Sequence, residues 1–328
     1  MRRGLSVGAV LVESGPDAGA VWHYGDPFRE QRMLAGTAIA DGPLPHFPRF
    51  AVGGPGRLAW LHAITSQDFN SLPAGERASA YILNYQGHIV HAFSGQDDGE
   101  VFQAYTQPGC QDSLLAWLRK MVFASRVTIN ADEAGAVATG ASPTSWPTST
   151  TAETDGAGAV AVEAGRPVGL WAYEALRIAA GRPRHQFDTD EKTLPNEVAS
   201  PDGDRLGEYV RLNKGCYPGQ ETVARVYNLG APPRRLTRVL LDGSADRLPG
   251  LGAEVRCNGE PVGRMGSSSI HYELGPVGLA LLKRSLPTNA TVEVEGIAAS
   301  QEVIVDPEVG LHWRPAVSPR PAPRRPLI

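Results

Sequence analysis

The chain is poor in cysteine, with three in 328 residues, and no two of them form a Cys-x-x-Cys pair. Cys110, Cys216 and Cys257 are scattered and odd in number, which argues against a disulfide framework or a zinc knuckle and fits a reducing cytosol. A four-cysteine iron–sulfur site cannot be built from this chain alone, and no resident metal is expected. No apolar run approaches the ~20 residues of a membrane span. A strong charge of one sign is missing too. The formal net charge is −4, which leaves no electrostatic footprint for nucleic acid or an acidic membrane. Met1-Arg2-Arg3 opens like a secretory leader, but Glu13, Ser14 and Asp17 break the apolar stretch that follows, so none is expected.

What is present is ordinary globular chemistry, 42% apolar and 20% charged, in a chain too long for a single core. Residues 1–20 are Gly-rich and read as a weakly ordered arm or an edge strand. A Gly25-Asp26-Pro27 turn signal precedes a short helix carrying Phe28 to Arg32. From Phe50 a strand runs into RLAWLHAITSQDF, where Leu58, Leu61 and Ile64, with Trp60, give one buried helical face. Tyr81-Ile82-Leu83 and Ile89 to Phe93 flank the turn Asn84-Tyr85-Gln86-Gly87-His88 and predict a β-hairpin. A third strand, Val101 to Tyr105, and an amphipathic helix from about Gln111 to Phe123 complete half of an α+β sandwich.

Residues 143–159 are rich in Thr, Ser, Pro and Gly and read as an exposed insert. A helix from about Leu170 to Ala180 is stopped by Gly181 and Pro183. Short apolar runs between Gly-rich turns from Arg235 to Asp306 predict a small β-barrel, and residues 314–328 read as a disordered tail.

The chemistry concentrates in Lys214-Gly215-Cys216-Tyr217-Pro218-Gly219-Gln220-Glu221, followed by a helical pattern to Tyr227. Gly215 and Gly219 permit positive φ or close backbone approach. Cys216 sits upstream of a helix N-terminus and next to Lys214 in sequence, and both features favour the thiolate. The bland alternative is a small buried thiol in a shaped interdomain loop. Glu221 and Arg225 stand at i, i+4 and can pair across one turn.

KGCYPGQETVAR resembles the signature of the folate-binding YgfZ family, relatives of the glycine-cleavage T-protein (aminomethyltransferase). Weaker support comes from HYGDPFREQR, RLAWLHAITSQDF, LWAYEALRIAAGRP, LPNEV and RRLTRVLL, so the resemblance covers most of the chain. It implies an α+β, three-domain cloverleaf around a cavity for tetrahydrofolate. Residues 20–50 with 132–230 would form the first domain, 51–131 the second and 234–313 the barrel. It also implies a cytosolic role in making, repairing or maintaining iron–sulfur enzymes, with Cys216 needed for activity and Lys214 beside it.

The same resemblance makes Asn84, Tyr105, Arg177, Glu197, Tyr217, Gln220, Glu221 and Arg225 candidate folate contacts. Arg177 and Arg225 either hold a folate glutamate tail or pair with Glu174 and Glu221. Glu197 is either a cavity acid or a tie between a loop and backbone N–H groups. The T-proteins carry a carboxylate just after the hairpin turn, whereas Gly87 to Ala92 here holds none, and Ala179 stands where relatives often place Glu. An aminomethyltransferase lacking that acid lacks its means of activating the folate nitrogen. His88 and His91, three apart on a strand, face opposite sides and read as surface or hinge residues. Asp188, Asp190 and Glu191 read as solvated loop acids.

Overall fold

The structure, a computed structural model, describes residues 8–35, 44, 46–131, 160–161, 167–198 and 205–307. The insert expected at 143–159 and the tail expected at 314–328 lie outside these residues. Strands β1 (Val10–Leu11) and β2 (Val21–His23) pair antiparallel, so the edge-strand reading holds for the described part of the arm. Helix α1 (Pro27–Ala35) starts with proline at its first position, and the Asp26 carboxylate accepts from the Arg29 N–H at 2.9 Å.

Next come β3 (Arg49–Gly53), α2 (Arg57–Ile64), β4 (Arg77–Leu83), β5 (Ile89–Asp97), β6 (Val101–Tyr105), α3 (Gln111–Met121) and β7 (Thr128–Ala131). The strands form one antiparallel sheet in the order β4-β5-β6-β3-β7. Alternate residues point to opposite faces. Phe50, Val52, Ala80, Phe93 and Phe102 meet Leu61 of α2 and Leu114 and Leu118 of α3 in one core. Each of the buried Phe, Val and Leu side chains contributes about 1.5–3 kcal/mol. The other face presents Ser79, Ser94 and Tyr105. Helix α2 stops at Ile64, short of the RLAWLHAITSQDF pattern. Thr65 turns extended, and its hydroxyl donates to the Leu61 carbonyl at 2.8 Å. This releases Ser66 to Asp68 as a loop.

Strands β8 (Val160–Ala161) and β9 (Pro167–Val168) lead into α4 (Leu170–Ala179), then come α5 (Pro195–Val198), α6 (Arg205–Tyr209) and α7 (Gln220–Leu229). Helix α4 ends as expected at Gly181, whose φ of 66° lets its N–H reach the Ile178 carbonyl at 2.9 Å. Strands β10 (Arg234–Leu241), β11 (Glu254–Cys257), β12 (Glu260–His271), β13 (Gly275–Lys283), β14 (Val292–Val294) and β15 (Ile297–Val303) close into a barrel. Closure leaves no unpaired edge. Asn258-Gly259 and Glu295-Gly296 have positive φ at both positions, the two-residue turns that match hairpin twist. Gln31 of α1 donates to the Ile270 carbonyl and accepts from the Tyr272 N–H, tying α1 to the barrel.

Candidate functional site

A cavity of about 840 Å³ opens between the polar face of the sheet and the segments around α4 and α6. The sheet contributes Ser79, Ser94 and Tyr105, the loop after α2 contributes Gln67 and Asp68, and Tyr173, Glu208, Tyr209 and Arg211 face them. Tyr209 stacks on Tyr81 with ring centres 4.4 Å apart. Burial pushes the Tyr105 phenol well up, so it is neutral across the physiological range.

One side of the cavity is a buried ion network. Arg177 grips Glu174 at 2.5 and 3.1 Å, Asp188 at 2.9 Å and the Arg182 carbonyl at 2.6 Å. Arg184 binds both oxygens of Asp17 at 3.0 Å, Glu174 at 3.1 Å and Gln107 at 2.9 Å. Burial works to raise the Asp17 pKa, but His46 and Arg184 outweigh it and hold the carboxyl at about 2. The Asp188 carboxylate also accepts from the Arg184 and Ser267 N–H groups at 2.7 Å, joining α4 to the barrel. Asp188 is therefore a buried structural anion, contrary to the solvated reading. Asp190 pairs with Arg234 at 2.6 Å, and Glu191 is exposed.

The signature is a loop leading into α7. Gly219 has φ 78°, and a Cβ there would lie 2.5 Å from the Asn84 carbonyl oxygen and 2.7 Å from the Gly87 Cα. The loop is thus pressed against the turn of the β4–β5 hairpin. Gly215 needs no left-handed backbone; its nearest neighbour would be His62 Nε2 at 3.5 Å. Lys214 Nζ donates to the carbonyl oxygens of His62, Thr65 (2.6 Å) and Gln67 (3.1 Å) and sits 5.1 Å from the centre of the Tyr217 ring. Burial pushes this ammonium down to about 8, with Asp68 opposing. Lys214 is committed to those carbonyls, which corrects its reading as a partner of the thiol. Cys216 is exposed, which removes the bland alternative of a small buried thiol. Cys110 is buried at the start of α3, and Cys257 is half-buried beside a hairpin turn.

Of the ten candidate residues, Tyr105 and Arg177 line the cavity. Arg177 already carries Glu174 and Asp188. Asn84 closes the hairpin turn, its carboxamide oxygen accepting from the Gln86 and His88 N–H groups at 3.0 Å. Glu197 is fully buried, accepting from the Leu194 N–H at 3.0 Å and from Arg234 at 2.8 Å, so it ties a loop as the alternative reading has it. Tyr217 is buried, and burial pushes its phenol up to about 12. Gln220 donates to the Lys214 carbonyl at 3.3 Å and closes the loop. Glu221 and Arg225 pair at 2.9 Å on the exposed surface of α7.

His91 is also corrected. It is buried, edge-on to Trp117, and desolvation pushes it down to about 4. Among the described residues no three His, Cys, Asp or Glu side chains converge as a metal-ligand group. Gln67, Asp68, Tyr173, Glu208, Tyr209 and Arg211 were not singled out from the sequence. Only Gln67 and Asp68 carried a signal, inside the TSQDF end of the α2 pattern.

No family model matches the chain. Relatives of known name do. The mitochondrial iron–sulfur cluster assembly factor IBA57 of Homo sapiens is 34% identical over 132 residues, 38% of this chain and 33% of that protein. The tRNA-modifying protein YgfZ of Yersinia enterocolitica is 33% identical over 132 residues, 38% of each chain. The aminomethyltransferase of Thermotoga maritima is 23% identical over 317 residues, 78% of this chain and 82% of that one. The chain is thus similar to YgfZ, IBA57 and the T-proteins, at modest identity. At more than 30% identity, the matched segments span 24% to 38% of the relatives' own lengths. The crystal structure of the glycine cleavage system aminomethyltransferase T from Bartonella henselae superposes with a TM-score of 0.66 over 94% of this chain and 95% of that one, at 18% identity. The α+β fold with its closed C-terminal barrel is thus that of the T-proteins. Among the described residues no helix is long and apolar enough to cross a membrane.

Proposed function

We propose that this chain is a cytosolic accessory protein that binds a reduced folate in its cavity and supports iron–sulfur enzymes or their assembly proteins, with Cys216 as its reactive group. The observation that carries this reading is the double engagement of the signature. Its loop exposes a thiol, and its Lys214 holds the loop that lines the cavity. The relative IBA57, an iron–sulfur cluster assembly factor, supports the iron–sulfur role.

The cavity suits a folate in kind. Its volume lies within the range of about 300–1,000 Å³ usual for small-molecule sites. Tyr105 and Tyr209 offer ring faces for a pterin, Gln67 and Asp68 offer polar edges, and Arg211 at the rim offers a cation for a glutamate carboxylate. Tetrahydrofolate, when bound, supplies a carrier for a one-carbon unit. Titration of the wild-type chain with tetrahydrofolate and folinic acid tests the cavity. Deletion of the gene, with rescue by wild type and Cys216→Ala, tests the role. Normal iron–sulfur enzyme activities in the deletion strain under oxidative stress would sink it.

A second reading, an aminomethyltransferase-like enzyme, is supported by the relatives of that name. Against it, no acid stands in Gly87 to Ala92, and Glu197 is held by Arg234. Turnover of an aminomethylated lipoyl substrate by the purified chain would favour it.

A further inference from the structure

We infer that Lys214 is a positioning residue for the cavity: its ammonium caps the C-terminal end of α2 and so fixes Gln67 and Asp68 in the cavity wall. The folate arm of this inference rests on the proposed function; the structural arm does not.

The last turn of a helix leaves carbonyls without intrahelical donors, and a cation there meets both the orphan oxygens and the negative end of the helix dipole. In α2 the Leu61 carbonyl is taken by the Thr65 N–H at 3.1 Å. The His62 carbonyl goes to Lys214, from 152 residues away in sequence, and the same ammonium holds the Thr65 and Gln67 carbonyls beyond the helix end. Three main-chain oxygens thus converge on one cation, with the Tyr217 ring beside it. The ionisable groups facing it are Asp68 and, 2.9 Å from Asp68, His62.

What this fixes is a polar wall. With its carbonyl held, Gln67 donates its amide to the Ser79 carbonyl at 3.1 Å and the Glu208 carbonyl at 2.6 Å, and accepts from Arg211 Nε at 3.2 Å. Gln67, Ser79, Glu208 and Arg211 all line the cavity. One side chain of the signature therefore sets the join between the sheet and the α6 segment.

The test is Lys214→Ala in the full chain, with and without added propylammonium, which replaces the missing stem and charge, or propanol, which replaces the stem with one uncharged O–H donor. Two quantities are read: amide exchange over residues 62–69 and affinity for folinic acid. The expected result is faster exchange and about a tenfold loss of affinity. Propylammonium should restore both and propanol neither. Unchanged exchange and affinity, or equal rescue by propanol, would overturn the inference. If the wild type binds no folinic acid, the cavity reading fails and the exchange arm alone decides Lys214. If the alanine variant does not fold, Lys214→Met keeps the stem and must show the same faster exchange; wild-type exchange there refutes the cap.

Discussion

The two glycines of the signature make opposite predictions. Alanine at Gly219 must adopt φ 78°, which costs an L-residue about 1–2 kcal/mol. Its Cβ must also displace the Asn84 carbonyl oxygen at 2.5 Å and the Gly87 backbone at 2.7 Å. These are main-chain atoms of a hairpin turn already locked by the Asn84 side chain, so they do not yield as a flexible side-chain tip does. Together the two effects place Gly219→Ala at about 2–4 kcal/mol of destabilisation. Gly215→Ala meets only His62 Nε2 at 3.5 Å and no positive φ, so it should fall within about 0.5 kcal/mol of wild type. Gly219→Asn separates strain from contact, because asparagine tolerates the left-handed region but keeps the Cβ. It should remain clearly destabilised. The assay is urea unfolding followed by circular dichroism and tryptophan fluorescence, with midpoints and slopes compared transition by transition, since a chain this long can unfold in steps. Equal stabilities for the Gly215 and Gly219 alanine variants, or a wild-type midpoint for Gly219→Asn, would refute the close approach of loop and hairpin.

Arg177→Met leaves Glu174 and Asp188 buried without their shared cation and should cost about 3–5 kcal/mol, measured by the same unfolding series. Glu221→Gln, in an exposed pair, should change stability by less than about 0.5 kcal/mol. His91 and His185 are pushed by desolvation from an ordinary 6.5 down to about 4. Between those values the unfolded chain takes up protons that the folded chain refuses, so stability should fall as pH drops from 6.5 towards 4. His91→Phe should flatten that fall by up to about 3 kcal/mol in unfolding free energies measured across the window. Tyr209→Ala removes a ring face from the cavity and should weaken folinic acid about tenfold by calorimetry, while Tyr105→Phe, which keeps its ring, should change affinity little.

Local signals were legible in the sequence. The Asn84 to His88 turn, the stop at Gly181 and the Asn258-Gly259 hairpin each carry their own conformational reason. The cavity was not legible, because its lining comes from the α2 loop, the sheet face, α4 and α6, which no periodicity connects. Asp188 read as solvated because its own segment is polar; its burial comes from Arg177, eleven residues upstream, and from the Ser267 N–H of the barrel. His91 could have been placed correctly. His91 and Phe93 share one face of β5 and stand opposite Ile82 and Ala80 of β4, all three apolar neighbours being core residues, whereas a register shift turns Ile89 to the other core. Lys214 stands two residues from Cys216 in sequence, but its ammonium is held by three carbonyls at and beyond the end of α2.

The density of the signature then has a physical explanation that isolates one residue. Gly219 is required by the approach of the hairpin, Tyr217 by burial beside Lys214, Lys214 by three carbonyls, and Gln220 by the closing bond to the Lys214 carbonyl. Each of these would be selected in a protein that used the loop only as a joint. Cys216 would not. A free cysteine kept for packing is usually buried, as Cys110 is here, and an exposed thiol is open to oxidation and exchange. Cys216→Ser should therefore leave the urea midpoint and the amide exchange over residues 62–69 at wild-type values while abolishing rescue of the deletion strain. A variant that loses stability together with rescue would return Cys216 to the joint and leave the cavity without a chemical group of its own.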